Sequence, residues 1–150
     1  MEKGSRYLSL VGRILLGSIF LLSALGKVTG WSTTAGYMAS KGMPLVACFL
    51  AAATVVELGG GLSLLTGFQA RWGALALAAF LIPITLIFHN FWAFQGQEQQ
   101  MQMVHFLKNL AIMGGLFQVA AVSRAPVRVA ARAETDRVPQ HATDLTPRLG

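Results

Sequence analysis

The sequence predicts an all-α integral membrane protein, a bundle of four spanning helices with a short outer interfacial helix between spans one and two. Two observations carry this. Of 150 residues, 54% are hydrophobic and 12% are charged, whereas an ordinary soluble domain carries roughly 25% charged residues. The apolar residues gather in four stretches, at about residues 7–26, 45–67, 72–94 and 104–123, most of them near the ~20 residues that cross a hydrocarbon core roughly 30 Å thick. The rival is a soluble bundle, but a helix that faces water carries a polar stripe every three to four residues. Trp72 to Phe88 has no charge, and its only polar side chain is Thr85.

Taken in order, the first stretch holds Arg13 and lacks a small-x-small cleavage site before a polar region, so it reads as a retained span and not a secretory signal. The connection "VTGWSTTAGYMASKGMP" has a helix start at Ser32 or Thr33 and a stop at Gly42 and Pro44. A short helix at the outer interface is expected there, with Trp31 and Tyr37 at headgroup level. Span two ends in the tight turn "TGFQAR". Span three contains Pro83, which removes one intrahelical hydrogen bond and is expected to bend the helix. Span four follows a polar connection, and Gly12, Gly17, Gly26, Gly59, Gly60, Gly61, Gly114 and Gly115 lie where close helix packing needs small residues. Residues 1–123 form the membrane domain, and residues 124–150 are expected to be a basic, largely disordered cytoplasmic tail.

The net charge of +6 is distributed as a membrane protein distributes it, and nucleic acid is not an expected partner. Lys3 and Arg6 precede span one, Arg71 lies between spans two and three, and Arg124, Arg128, Arg132 and Arg137 follow span four. The other side carries Lys27, Lys41 and the acid Glu98. Lysine and arginine concentrate on the cytoplasmic side, so both termini are expected there, in a bacterial inner membrane. Cys48 is the only cysteine, which rules out an intramolecular disulfide.

Charged groups at membrane depth cost roughly 3 kcal/mol on insertion scales, so they face a bundle interior, a partner or water. Two sets qualify. Arg13 and Glu57 lie at depths that agree within roughly 6 Å when counted at 1.5 Å per residue from the span ends, and a buried ion pair is expected between them. Such a pair fixes helix register or, in the functional reading, makes Glu57 a proton acceptor or ligand anchor; snorkelling of Arg13 is the remaining reading. The second set is an outer rim built by Lys27, by His89, Asn90 and Trp92, and by His105, Lys108 and Asn109. The last three share one helical face.

This rim offers ammonium and imidazole donors and two amides, walled by Phe91, Trp92, Phe94 and Phe106. That mixture suits a quinone ring or a lipid headgroup. The plain reading makes the histidines and Trp92 interfacial residues and Lys108 a snorkelling side chain. No metal is expected, since His89, His105 and Glu98 fall short of the usual three or four ligands in one place. There is no HExxH, P-loop, dinucleotide-binding glycine pattern, nucleophile elbow or CxxC pair.

"RILLGSIFLLSALGKVTGW", "KGMP", "VELGGGLSLLTG", "LIFHNFW" and "HFLKNLAIMGGL" together resemble the DoxX family of small bacterial four-helix membrane proteins, over roughly residues 10–118. The resemblance implies a four-helix inner-membrane protein with both termini cytoplasmic; some members of the family are linked to oxidoreductase systems, including the membrane component of a thiosulfate:quinone oxidoreductase and a membrane partner in thiol-redox defence. The positions that match are Arg13, Gly17, Gly26, Lys27, Glu57, His89, Trp92, Lys108 and Asn109, and none carries a catalytic role by that match. The expected function is a redox-associated membrane subunit that binds a quinone or similar amphiphile near the outer face, with His89 or His105 as proton relay. Electrons would come from a soluble redox partner, because no haem or cluster motif is present. The alternative is a non-enzymatic scaffold or a small-solute transport module, for which a homo-oligomer would supply the missing half.

Overall fold

Runs of leucine, isoleucine, alanine and phenylalanine uninterrupted by turn-forming pairs wind into long helices, and the glycine-rich connections end them. The computed structural model describes residues 2–123, with side chains from Gly4 onward; the expected tail at 124–150 lies outside the described residues. Every regular element among the described residues is helical. The order is α1 (Glu2–Thr29), α2 (Trp31–Ser40), α3 (Val46–Thr66), α4 (Ala70–Phe88), a 3-10 turn (Phe91–Ala93) and α5 (Gly96–Val122). Four of these, Gly4–Thr29, Val46–Thr66, Ala70–Ala93 and Gly96–Val122, are long and apolar enough to cross a membrane.

The helix ends differ from the hydropathy boundaries in several places: α1 begins at Glu2, and α4 ends at Phe88, before the 3-10 turn that takes up the rest of the stretch expected to run to 94. α5 begins at Gly96, not near residue 104, because "GQEQQMQM" is polar yet made of good helix formers. α1 runs unbroken to Thr29, so the break before α2 falls at Gly30, whose carbonyl accepts from the Thr34 amide at 2.9 Å and the Thr34 hydroxyl at 3.0 Å. Ser32 and Thr33 therefore sit inside the first turn of α2. Helix α4 continues through Pro83 as one element.

The spans form a ring in which α1 lies on α3, α3 on α4 and α4 on α5, with the closing contact of α5 on α1 the thinnest. Glycine sets the tight contacts. A Cβ on Gly17 would lie 3.0 Å from the Gly61 carbonyl, and one on Gly61 would lie 3.1 Å from the Gly17 carbonyl; two backbones can approach this closely only without side chains between them. Gly60 makes the same allowance for Leu77, and Gly73 for Ser63. Phe20, Leu64, Leu77, Leu81 and Leu116 fill the space between the helices. A second cluster of Met38, Leu50 and Phe88 seats α2 across one end of the ring. Outward leucines and aromatics such as Leu15, Leu22, Val55, Phe68 and Trp72 are exposed, as expected of faces solvated by lipid chains.

The ends of the ring are held differently. Away from α2, the chain turns from α3 to α4 through Gly67, whose φ of 78° lies in the left-handed region that favours glycine. Its amide donates to the Ser63 carbonyl at 3.0 Å, closing α3. At the α2 end, Tyr37 stacks on Phe88 with ring centroids 5.7 Å apart. The Lys41 ammonium lies 5.5 Å from the Tyr37 ring centre and 5.0 Å from that of Phe94.

Candidate functional site

Contacts down the interface of α1 and α3 fix which charges can meet. Gly17 lies against Gly61, Ser23 donates to Glu57, and the guanidinium of Arg13 packs against Gly67, where a Cβ would lie 2.7 Å from Nη1. Arg13 is thus level with the C-terminal end of α3, ten residues and about 15 Å of helix from Glu57. The expected Arg13–Glu57 ion pair is not formed. The depth comparison took the two apolar stretches to end level with one another, but α1 runs past the end of α3 by several turns. Arg13 instead meets the negative pole of α3, with its Nε buried and without a hydrogen-bond partner among the described residues.

Glu57 pairs with Lys27. The ammonium donates to both carboxylate oxygens at 2.8 Å and to Ser23 Oγ at 2.8 Å, and Ser23 donates in turn to Oε1 at 3.1 Å. An ammonium has three hydrogens, and three acceptors are in place. Lys27 reaches inward along α1 to make this contact, the reverse of snorkelling. Glu57 is 5% exposed, so the pair satisfies a carboxylate that would otherwise be very costly in this position.

Across the ring, Asn109 on α5 is buried and its Nδ2 donates to Thr85 Oγ1 on α4 at 3.0 Å. Its second amide hydrogen and its carbonyl have no partner among the described residues. Between these two polar pairs lies a cavity of about 470 Å³. Ile19, Phe20, Phe80, Leu81, Ile84 and Ile112 give it apolar walls; Ser23, Lys27, Glu57, His89, Lys108 and Asn109 give it polar ones; Tyr37 and Met38 of α2 cover it.

Of the rim residues expected from the sequence, Lys27, His89, Lys108 and Asn109 line this cavity, while Asn90, Trp92 and His105 do not. His105 stands behind the lining: its ring lies 5.2 Å from that of His89, and its Nδ1 is 3.4 Å from the Lys108 ammonium. Trp92 packs edge-on with Phe91 and Phe106 in a separate aromatic cluster. The Asn90 side-chain oxygen is buried without a partner among the described residues. His89 Nδ1 lies 3.0 Å from Gln102 Oε1; with the proton on Nδ1 the ring donates there and leaves Nε2 as an acceptor.

Comparison with known proteins bears on what such a site belongs to. The DoxX family profile matches residues 8–90, more than half of the chain. The chain belongs to the DoxX family. It is 38% identical over 111 residues to the inner membrane protein YqjF of Escherichia coli K12, covering 74% of this chain and 80% of that protein. It is 29% identical over 113 residues to the inner membrane protein YphA of the same organism, covering 75% and 81%. No solved structure gives a significant match. With four helices able to span a bilayer, this DoxX-family chain is a multi-pass inner-membrane protein.

Several residues in or beside this cavity carry no clear mark in the sequence. Ser23 and Thr85 are hydroxyls inside apolar runs, where serine and threonine commonly bond back to their own helix. Ser23 lies four residues before Lys27, on the same helical face, and that spacing was the available signal. Gln102 falls in a stretch whose polarity reads as connection, so its place beside His89 had no marker. Chemically, the cavity presents a neutralised ion pair on one wall and uncommitted hydrogen-bonding groups on the other.

Proposed function

We propose that this DoxX-family chain is a redox-associated inner-membrane subunit that binds a quinone, or a similarly neutral amphiphile, in the cavity beneath α2. One observation supports the reading above others: Lys27 and Glu57 cancel one another, so that wall offers no net charge to an anion, while buried Asn109 faces the same space with bonding capacity to spare. A volume of about 470 Å³ falls within the ordinary range of ligand pockets, which combine apolar lining with a few placed polar groups.

In this reading the Asn109 amide donates to a carbonyl oxygen of the ring. Lys108 contributes a second donor at the edge. Reduction of a quinone to its quinol takes up two electrons and two protons; His89, tied to Gln102 and backed by His105, is the group that passes the protons. A soluble redox partner supplies the electrons. The placement of Lys3, Arg6 and Arg71 relative to Lys27 and Lys41 supports cytoplasmic termini and a cavity towards the outer face.

The test is saturable binding of a short-tailed benzoquinone to the purified chain in lipid nanodiscs. The Asn109→Leu variant is expected to weaken binding at least tenfold while remaining folded. Equal affinity in both proteins, or no saturable binding in either, removes the reading and leaves the scaffold alternative, for which the fully satisfied Lys27–Glu57 pair would act in packing alone.

A further inference from the structure

The ring of spans has one thin seam, and the cavity reaches it. On α1, Ile19 lines the cavity and is 46% exposed. Lys108 on α5 likewise lines the cavity and is exposed. A residue that borders an internal space and the exterior marks where the two communicate. Ile112, one turn beyond Lys108, stands on the same α5 edge of the opening.

The opening has limits on both sides. Away from α2 it is shut by Leu16 against Gly115, where a Cβ would lie 3.3 Å from Leu16 Cδ1. At the α2 end the cavity is covered: Met38 is buried against Leu50 and Phe88, Tyr37 stacks on Phe88, and Lys41 bridges Tyr37 to Phe94. The other three seams are filled: by the Gly17–Gly61 contact and the Lys27–Glu57 pair between α1 and α3, by Leu77 against Gly60 between α3 and α4, and by the buried Asn109–Thr85 hydrogen bond between α4 and α5. Ile19 and Ile112 lie well inside their candidate spans, so what surrounds the opening is hydrocarbon.

We infer that the ligand enters sideways from the bilayer between α1 and α5, and that its hydrocarbon tail stays in that seam, between Ile19 and Ile112, while its head lies against Asn109. The inference rests on the quinone reading and adds the route and the tail site. It selects amphiphiles with a single linear tail over those with two chains, since only one narrow seam is open. Lys108, at the mouth, is the residue the polar head passes last on leaving.

Photolabelling in proteoliposomes tests it with the unmodified full chain. The probe is a benzoquinone with a diazirine on its alkyl tail, competed by excess untagged benzoquinone of the same tail length. Competable label on the peptides containing Ile19 and Ile112 is expected, with at least tenfold less on α2. Competable label on α2 with none on the seam overturns the lateral route while the quinone reading stands; no competable label at any site overturns both. A second measurement uses Ile19→Cys with Ile112→Cys in a Cys48→Ser background, bridged by a short dithiol reagent. Bridging is expected to slow quinone uptake at least tenfold, and an unchanged uptake rate in bridged protein that retains its helix content counts against the route.

Discussion

The same two helices, α1 and α3, behave differently in their two halves. Away from α2 they meet backbone to backbone, Gly17 on Gly61, and Arg13 lies against the end of α3. Towards α2 they meet through the side chains of Ser23, Lys27 and Glu57, and those polar groups form one wall of the cavity. The contrast shows how a small membrane bundle makes room without losing cohesion. Backbone contact between small residues joins one half, and a charge pair between long side chains joins the other.

The comparison breaks most visibly at the charge pair. Lys27→Ala leaves the buried Glu57 carboxylate alone, a change that costs about 3–5 kcal/mol; reversible unfolding in mild detergent should show a loss of that size, and a smaller one for Glu57→Ala, because the Lys27 side chain is 20% exposed. The double change Lys27→Met with Glu57→Leu should recover most of it, and a double variant no more stable than the singles would show that the pair is not what destabilises them. In the close-packed half, Gly60→Val drives a side chain into Leu77, and overpacking of this kind costs about 1–3 kcal/mol. The expected signature is lower stability with quinone affinity per folded molecule preserved.

Asn109→Leu sharpens the contrast in the other direction. Its loss of one neutral hydrogen bond costs about 1 kcal/mol, so unfolding moves little while quinone titration should show the tenfold loss already given. Arg13→Gln removes a cation from the C-terminal end of α3, an interaction worth about 0.3–1 kcal/mol, detectable as a small shift in the same unfolding assay. Trp92→Ala is the smallest: the ring lies outside the cavity, and binding affinity should change by less than about twofold, or about 0.4 kcal/mol.

Four helices able to span a membrane and the short helix between the first two were legible because hydropathy and charge report burial directly. Depth was not. Whether Glu57 meets Arg13 or Lys27 depends on how far α1 slides past α3, and that register is set by Gly17, Gly61 and the turn at Gly67, whose effect appears only when two helices are laid side by side. For the same reason the polar rim divided: Lys27, His89, Lys108 and Asn109 face one space, while Trp92 joins Phe91 and Phe106 elsewhere. Both asparagines read alike in sequence. Only Asn109 borders the cavity, whereas Asn90 precedes the 3-10 turn without a side-chain bond to it.

The Lys27–Glu57 contact also bears on how the chain is made. Glu57 follows Lys27 in synthesis by α2 and about half of α3, and its carboxylate has no partner until α3 lies beside α1. Released singly into lipid, α3 would carry that charge at a cost of roughly 3 kcal/mol. The first two spans should therefore leave the insertion machinery together, as a hairpin already closed by its ion pair, and α4 and α5 should assemble onto a finished template.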